Sequence, residues 1–361
     1  MMDVAIVGAG PAGSAAAIEL ARAGKRVLII EKKPFPRTKV CGGCLSGPAA
    51  SRLTKLVGEG RELPGIPGTQ VSFVIGSYRL ACHPHGATRI IPREEMDACL
   101  ANLAAEAGAE IRYGQAASLH RGDGDWHVVV GGERIRARWI LIASGLSGLA
   151  TRIGIRNSCR SRPMIAQQWV QPAGSSLPLL GSVELHWLHG GYVGLATPRM
   201  GDCVIALACD APGDSGDSAW DRLRRLNPGA PIWQSLPADA PKRFAAKGTA
   251  GFPWIPDRLG DANALVIGDA AGYAEPYSGE GIGQALCSAA CAVQALLKGG
   301  DVLNGYADQM RRLHARTVRR TSWIRSILRT PIVRFIAAQR PLIPRRWLAS
   351  LVESVHIKGA A

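Results

Sequence analysis

Two groups of residues stand at spacings that suit phosphate and sugar chemistry. Gly8-Ala9-Gly10-Pro11-Ala12-Gly13 is a G-x-G-x-x-G run, and Glu31 follows 18 residues after Gly13. In such a run the first glycine permits a tight turn and the second lets the backbone approach a pyrophosphate. The third allows a helix to pack closely on a strand. Free N–H groups at the helix start then face the phosphates. A carboxylate at Glu31, with Lys32 beside it, can accept both hydroxyls of an adenosine ribose and repel a 2′-phosphate. Much further along, Leu265-Val266-Ile267 leads into Gly268-Asp269-Ala270-Ala271-Gly272, followed by Pro276 and Gly279-Glu280-Gly281-Ile282. An apolar strand ending in Gly-Asp sets one carboxylate against close-packed backbone, where it suits a ribityl hydroxyl. A helix starting near Gly281 aims its positive end at the edge of a flavin, where charge builds on reduction. Together the two motifs predict bound FAD.

Other candidates carry competing readings. Cys41 and Cys44 form a C-x-x-C. Small residues there let a loop pass close to the cofactor, or a thiol touches substrate or flavin, or the pair is a disulfide or a metal site. The last suffers from the lack of a second Cys or His pair at zinc spacing, and no metal is expected. His83 and His85 flank Pro84, either as a metal pair or, the favoured reading, in a solvated loop. Glu280 is either a proton donor or an acceptor for local backbone N–H groups. Of Trp169, Trp187, Trp233 and Trp254, half are expected to line an apolar cavity.

The elements that must position these residues follow from periodicity. Val4–Val7 is a continuous apolar strand, Ala12–Ala23 a small-residue helix ended by Gly24, and Arg26–Ile30 a second strand. Short apolar strands covered on both faces read as a parallel sheet. A helix follows Pro92 over Glu94–Gly108, then β-rich sequence to Ile142 with a hairpin turn at Asp123-Gly124. From about 157 to 256 short alternating strands with Pro and Gly turns hold five of the nine Trp. The predicted fold is α/β: an FAD-binding Rossmann domain with a doubly wound parallel sheet, an antiparallel β cap and a helical C-terminal extension. The FAD-binding domain is discontinuous (1–66, 92–156 and 257–300). The cap comprises 67–91 and 157–256, and the basic extension 301–361.

Composition bounds the partners. The chain has 361 residues, 47% of them hydrophobic, and a net charge of +15. Residues 311–346 hold eleven Arg and no acidic residue, so the rest of the chain is close to neutral. A nucleic-acid partner is therefore not expected. In the tail Trp323, Ile324, Ile327 and Leu328 share one helical face, with Arg325 and Arg329 opposite. Such a helix either lies on an anionic membrane surface or packs on the domain. Nine scattered Cys, no secretory segment before Asp3, and no run of about 18 apolar residues lead to the expectation of a cytoplasmic protein, peripheral to the membrane if the tail binds lipid.

With these residues in view, the chain resembles flavoproteins of the para-hydroxybenzoate hydroxylase fold, and within them the geranylgeranyl reductase family. Cys41-Gly42-Gly43-Cys44-Leu45-Ser46 resembles that family's Cys-Gly-Gly segment beside the flavin. Arg93 and Asp97 resemble its Arg-x-x-x-Asp, and Ala117 falls where a strand backbone touches adenine. Gly190-Gly191-Tyr192 through Pro198 resembles its Gly-Gly-Tyr…Pro cap strand. The resemblance implies a cofactor set of Gly8, Gly10, Pro11, Ala12, Gly13, Glu31, Lys32, Cys41, Gly42, Cys44, Arg93, Ala117, Gly145, Asp269, Pro276, Gly279, Gly281 and Ile282. Aromatic hydroxylases of this fold carry Gly-Asp-Ala-Ala-His, Gly-Gln-Gly and a nicotinamide-linked Asp-Gly. Here Gly272, Gly279-Glu280-Gly281 and Ser144-Gly145 stand instead, which favours the reductase branch.

The activity implied is reduction of C=C bonds in a prenyl or polyene chain. Reduced flavin gives hydride to one carbon and an acid, Cys44 or Tyr192, protonates the other. The electron donor is NADPH or a reduced carrier protein. Two alternatives stand: a monooxygenase or dehydrogenase acting on an aromatic or polyketide substrate, and an electron-transfer partner without its own substrate pocket. The Trp-x-Trp-x-Ile-Pro of flavin halogenases is absent from Tyr192–Pro198.

Overall fold

Strands that are apolar on both faces can persist only where both faces are covered, and they form the centre of the molecule. The computed structural model describes residues 1–58, 60–83, 88–114, 117–174, 177–211, 216–273 and 279–313. Met2–Val7 lies between Glu133–Ile142 and Val27–Glu31. The parallel ladder continues to Ala264–Val266 on one side and Glu110–Tyr113 on the other. Its core strands are almost fully buried. Helix Pro11–Arg22, rich in Ala, packs against both Arg93–Glu106 and Gly281–Lys298. Ala117–Arg121 and Trp126–Val130 form the expected hairpin on the edge of Glu133–Ile142.

The second layer is a seven-stranded sheet. Its order is Lys247–Phe252, Met164–Pro172, Asp202–Asp210, Gly191–Arg199, Ser182–Leu188, Gln70–Ile75, Tyr78–Cys82. All neighbours are antiparallel except Ser182–Leu188 and Gln70–Ile75. That exception has a topological cause: Gln70–Ile75 belongs to the separate 67–91 stretch and is not joined to Ser182–Leu188 by a hairpin, so nothing obliges it to run antiparallel. Both faces of this sheet are apolar. Trp169, Val193, Leu195, Ile205 and Leu207 pack under helix Ala219–Leu226, whereas Met164, Ala166, Leu185, Tyr192 and Ala208 face the other way. A separate small sheet pairs Arg89–Ile90 antiparallel with Cys44–Leu45 on one side and Ile66–Pro67 on the other.

Residues 302–313 are helical. Buried Tyr306 ties them to the sheet by donating its hydroxyl to Val266 O at 2.7 Å. The remainder of the Arg-rich tail lies outside the described residues. Among those described, Gly281–Lys298 is long and apolar enough to cross a membrane, but 67% of it is buried inside the protein. It is a core helix, and its apolar character serves packing.

Candidate active site

The first glycine motif closes the end of the central strand. Gly8 has φ +110°, and a Cβ there would stand 2.5 Å from Ala143 O. A Cβ on Gly13 would run into Gly8 O, so helix and strand touch backbone to backbone. Pro11 opens the helix at a position that has no N–H to satisfy. Gly10 differs, since near its Cβ position lies one atom, Arg37 Nη2 at 3.8 Å. Gly8 and Gly13 hold the fold together, while Gly10 keeps space clear over the turn.

Glu31 ends its strand beside this turn. It is buried and accepts hydrogen bonds from Ala9 N at 2.8 Å and Lys33 N at 3.0 Å. Lys32 points to solvent. Asp97, fully buried, takes the fork of Arg93 through Nε and Nη2, both at 2.9 Å. Burial opposes the Arg93 charge, but the Asp97 carboxylate outweighs it and holds the guanidinium above its ordinary value. Arg37, which no motif singled out, bridges Glu31 at 3.4 Å and Asp97 at 3.2 Å. Ala117 opens the hairpin strand opposite Val130.

The second motif abuts the first. The Cβ position of Gly268 is 2.9 Å from Ala12 Cβ, and Gly268 N donates to Ser288 Oγ at 2.8 Å. Asp269 pairs with Lys39 Nζ at 3.1 Å. Gly145, with φ +64°, faces both: a Cβ there would lie 3.2 Å from Lys39 Nζ and 3.7 Å from Asp269 Oδ2. Neighbouring Ser144 Oγ is buried without a hydrogen-bond partner among the described residues. Helix Gly281–Lys298 begins at Gly281, with Glu280 at its N-cap and Ile282 buried behind it. Pro276 lies outside the described residues.

The Cys-Gly-Gly segment faces this helix start. A Cβ on Gly279 would stand 3.6 Å from Cys44 O and 4.0 Å from Cys44 Sγ. Burial pushes the Cys44 thiol up to about 12, and the nearby Cys41 thiol and Glu280 carboxylate push it the same way. It therefore keeps its proton at neutral pH and is a poor nucleophile. Cys41 and Cys44 are free thiols. Gly42 has open space where a side chain would be, and Cys41 N donates to Gln168 Oε1 of the cap.

The cap delivers an apolar surface to the same place. Tyr192 is buried beside Trp187, ring centroids 5.5 Å apart. With Met164, Leu185 and Phe252 it forms one cluster, onto which Val40, Leu146 and Tyr273 of the other layer pack. Trp254 donates to Ala270 O at 2.8 Å and closes the seam beside Asp269. Trp169 and Trp233 sit on the far face with Trp220, so of the four Trp only Trp187 belongs to the cluster facing the seam. Exposed His83 meets Thr69 O at 3.1 Å, and His85 lies outside the described residues. The contributions that the motifs missed are Arg37, Lys39, Leu146 and Gln168, which reach the site from three separate stretches of chain.

These residues fit FAD. A glycine turn with no room for a side chain at Gly8 or Gly13, and with clear space at Gly10, meets a helix N-terminus and a buried carboxylate. A second carboxylate stands beside Gly145, and a second helix starts opposite the Cys-Gly-Gly segment. A sequence family described as FAD dependent oxidoreductase matches residues 3–168. The chain is 30% identical over 323 residues to the menaquinone reductase of Mycobacterium tuberculosis, covering 81% of this chain and 76% of that one. It is 27% identical over 303 residues to digeranylgeranylglycerophospholipid reductase 1 of Methanothermobacter thermautotrophicus, covering 78% and 73%. A geranylgeranyl bacteriochlorophyll reductase-like protein from Thermoplasma acidophilum has the same fold, with a TM-score of 0.76 at 18% identity, over 99% of this chain and 97% of that one.

Proposed function

Because this chain belongs to the family of FAD-dependent oxidoreductases that includes the geranylgeranyl reductases, we propose that it reduces carbon–carbon double bonds in a long prenyl or polyene chain. The observation that carries this reading is the apolar seam, where Tyr192, Trp187, Leu185 and Phe252 of the cap meet Val40, Leu146 and Tyr273. A water-poor wall of this kind suits an alkene better than a charged metabolite. Menaquinone and digeranylgeranylglycerophospholipid, named for two relatives, both carry long apolar chains.

Bound reduced FAD supplies the hydride. The chain's own residues hold the cofactor, exclude water and deliver a proton. The Gly8–Gly13 turn and Glu31 would hold the ADP half; Asp269, Gly145 and the start of helix Gly281–Lys298 would hold the other. Cys44 retains its proton because burial raises it to about 12, and Tyr192 stands in the apolar wall. Either can return a proton to the second alkene carbon, and both are weak acids, so transfer occurs only as carbanion character develops there.

The test is anaerobic. Holoprotein reduced with dithionite is mixed with a geranylgeranyl compound, and flavin reoxidation is followed alongside product mass. Reoxidation with a gain of two hydrogens per turnover supports the reading. Flavin that stays reduced with every polyprenyl compound, and yields oxygenated product once air is admitted, would overturn it in favour of a monooxygenase.

A further inference from the structure

The phosphate turn has a cation above it that neither glycine motif accounts for. Arg37 Nη2 lies 3.2 Å from Asp97 Oδ2 and 3.4 Å from Glu31 Oε2. Its guanidinium carbon is 5.1 Å from the centroid of the Phe35 ring. Nη2 is also 3.8 Å from the point where a Cβ on Gly10 would stand, so the group overhangs the position that the glycine keeps clear. The side chain is only 12% exposed. Its Nε is buried without a hydrogen-bond partner among the described residues, and a buried donor left unused costs stability.

We infer that Arg37 is a cofactor-binding residue that donates to the FAD pyrophosphate on the Gly8–Gly13 turn, with Glu31, Asp97 and Phe35 fixing its guanidinium there. Two buried carboxylates, Glu31 and Asp97, stand within 3.4 Å of Arg37 Nη2, on the side of the turn that a pyrophosphate would approach over Gly10. Arg93 is committed to Asp97 by a two-point fork, which leaves the repulsion from Glu31 unanswered. The N-terminus of helix Pro11–Arg22 offers only partial positive charge. A guanidinium adds a full charge and several donors in one plane, the geometry that phosphate oxygens accept. Holding it between two carboxylates and over a ring fixes its orientation before the cofactor arrives, so less freedom is lost on binding. The inference concerns the cofactor and stands whichever substrate the enzyme takes.

Flavin fluorescence on dilution of the holoprotein gives the FAD dissociation constant for wild type, Arg37→Ala and Arg37→Lys. Loss of a charge-assisted hydrogen bond should weaken FAD by about 10–100-fold in Arg37→Ala, and Arg37→Lys should recover part of it. ADP and adenosine then serve as competing probes, each titrated until half the FAD is displaced. Only ADP carries the pyrophosphate, so Arg37→Ala should reduce the preference for ADP over adenosine by about tenfold or more. If Arg37 merely supports Glu31, both probes weaken together and the preference is unchanged. That outcome overturns the inference, as does an Arg37→Ala protein that holds FAD like wild type. Should Arg37→Ala fail to fold, Arg37→Gln, which keeps donors without the charge, is read by the same ratio.

Discussion

The two ends of the cofactor site are built by different physics. The nucleotide end combines bare backbone with charge: Gly8 and Gly13 admit no Cβ, and Arg93, Asp97, Arg37 and Glu31 form a largely buried alternating row beside the Phe35 ring. At the cap end the surface is apolar and comes from two layers, with Tyr192 and Leu185 on one side and Val40 and Leu146 on the other. The first kind of surface suits a polar, invariant ligand and tolerates little change, because each buried charge depends on its neighbour. The second needs shape and dryness, which many side-chain sets can supply. Stability and cofactor retention should therefore depend on the nucleotide end, and turnover and substrate choice on the cap end.

Asp97→Ala should expose that asymmetry most strongly. It strands the buried Arg93 guanidinium and removes one of the partners of Arg37, which should destabilise the protein by about 3–5 kcal/mol. Urea unfolding of the FAD-saturated protein measures it. A loss below 1 kcal/mol would mean that water reaches the row and that the two ends differ less than their burial indicates.

Gly8→Ala and Gly10→Ala sharpen the contrast within a single turn. Gly8 adopts φ +110° and its Cβ position meets Ala143 O at 2.5 Å. Alanine there should cost about 1–3 kcal/mol and strip FAD from the purified protein. Gly10→Ala finds space, so the unfolding midpoint of its apoprotein should match that of wild-type apoprotein while its FAD content falls. Equal destabilisation of the two variants would contradict the separate roles given to these glycines.

The smallest effect is expected at the cap end. Cys44→Ser should keep full FAD content and lose about tenfold in turnover, ~1.4 kcal/mol of barrier. It also carries a pH signature. The folded thiol is raised to about 12, so the unfolded chain releases this proton first. The stability it contributes is complete below the ordinary thiol value and is lost as pH rises toward 12. Wild type should thus lose stability faster than Cys44→Ser between pH 9 and 11. Parallel curves would show that Cys44 is not shielded from water.

Much of the frame was legible from the sequence, because it is written in local chemistry. Gly8, Gly145, Gly268 and Gly279 all adopt positive φ, which glycine alone enters without strain. Continuous apolar runs identify buried parallel strands, and the helix expected near Gly281 starts at that residue. Other features arise only once the chain is folded. Lys39 meets Asp269 across 230 positions and Cys41 meets Gln168 across 127; Arg37 reaches Asp97 by the same kind of long-range closure. No spacing rule links such pairs, since sheet order and the docking of the cap bring them together. The cap also conceals its faces. In a sheet with one wet face, alternation reveals which side chains point inward. Here helix Ala219–Leu226 covers one face and the cofactor domain the other, so Trp169 and Trp187 look alike in sequence. Only strand register, which pairs Trp187 with Tyr192 and Trp169 with Ile205, decides that the first faces the seam and the second the far core.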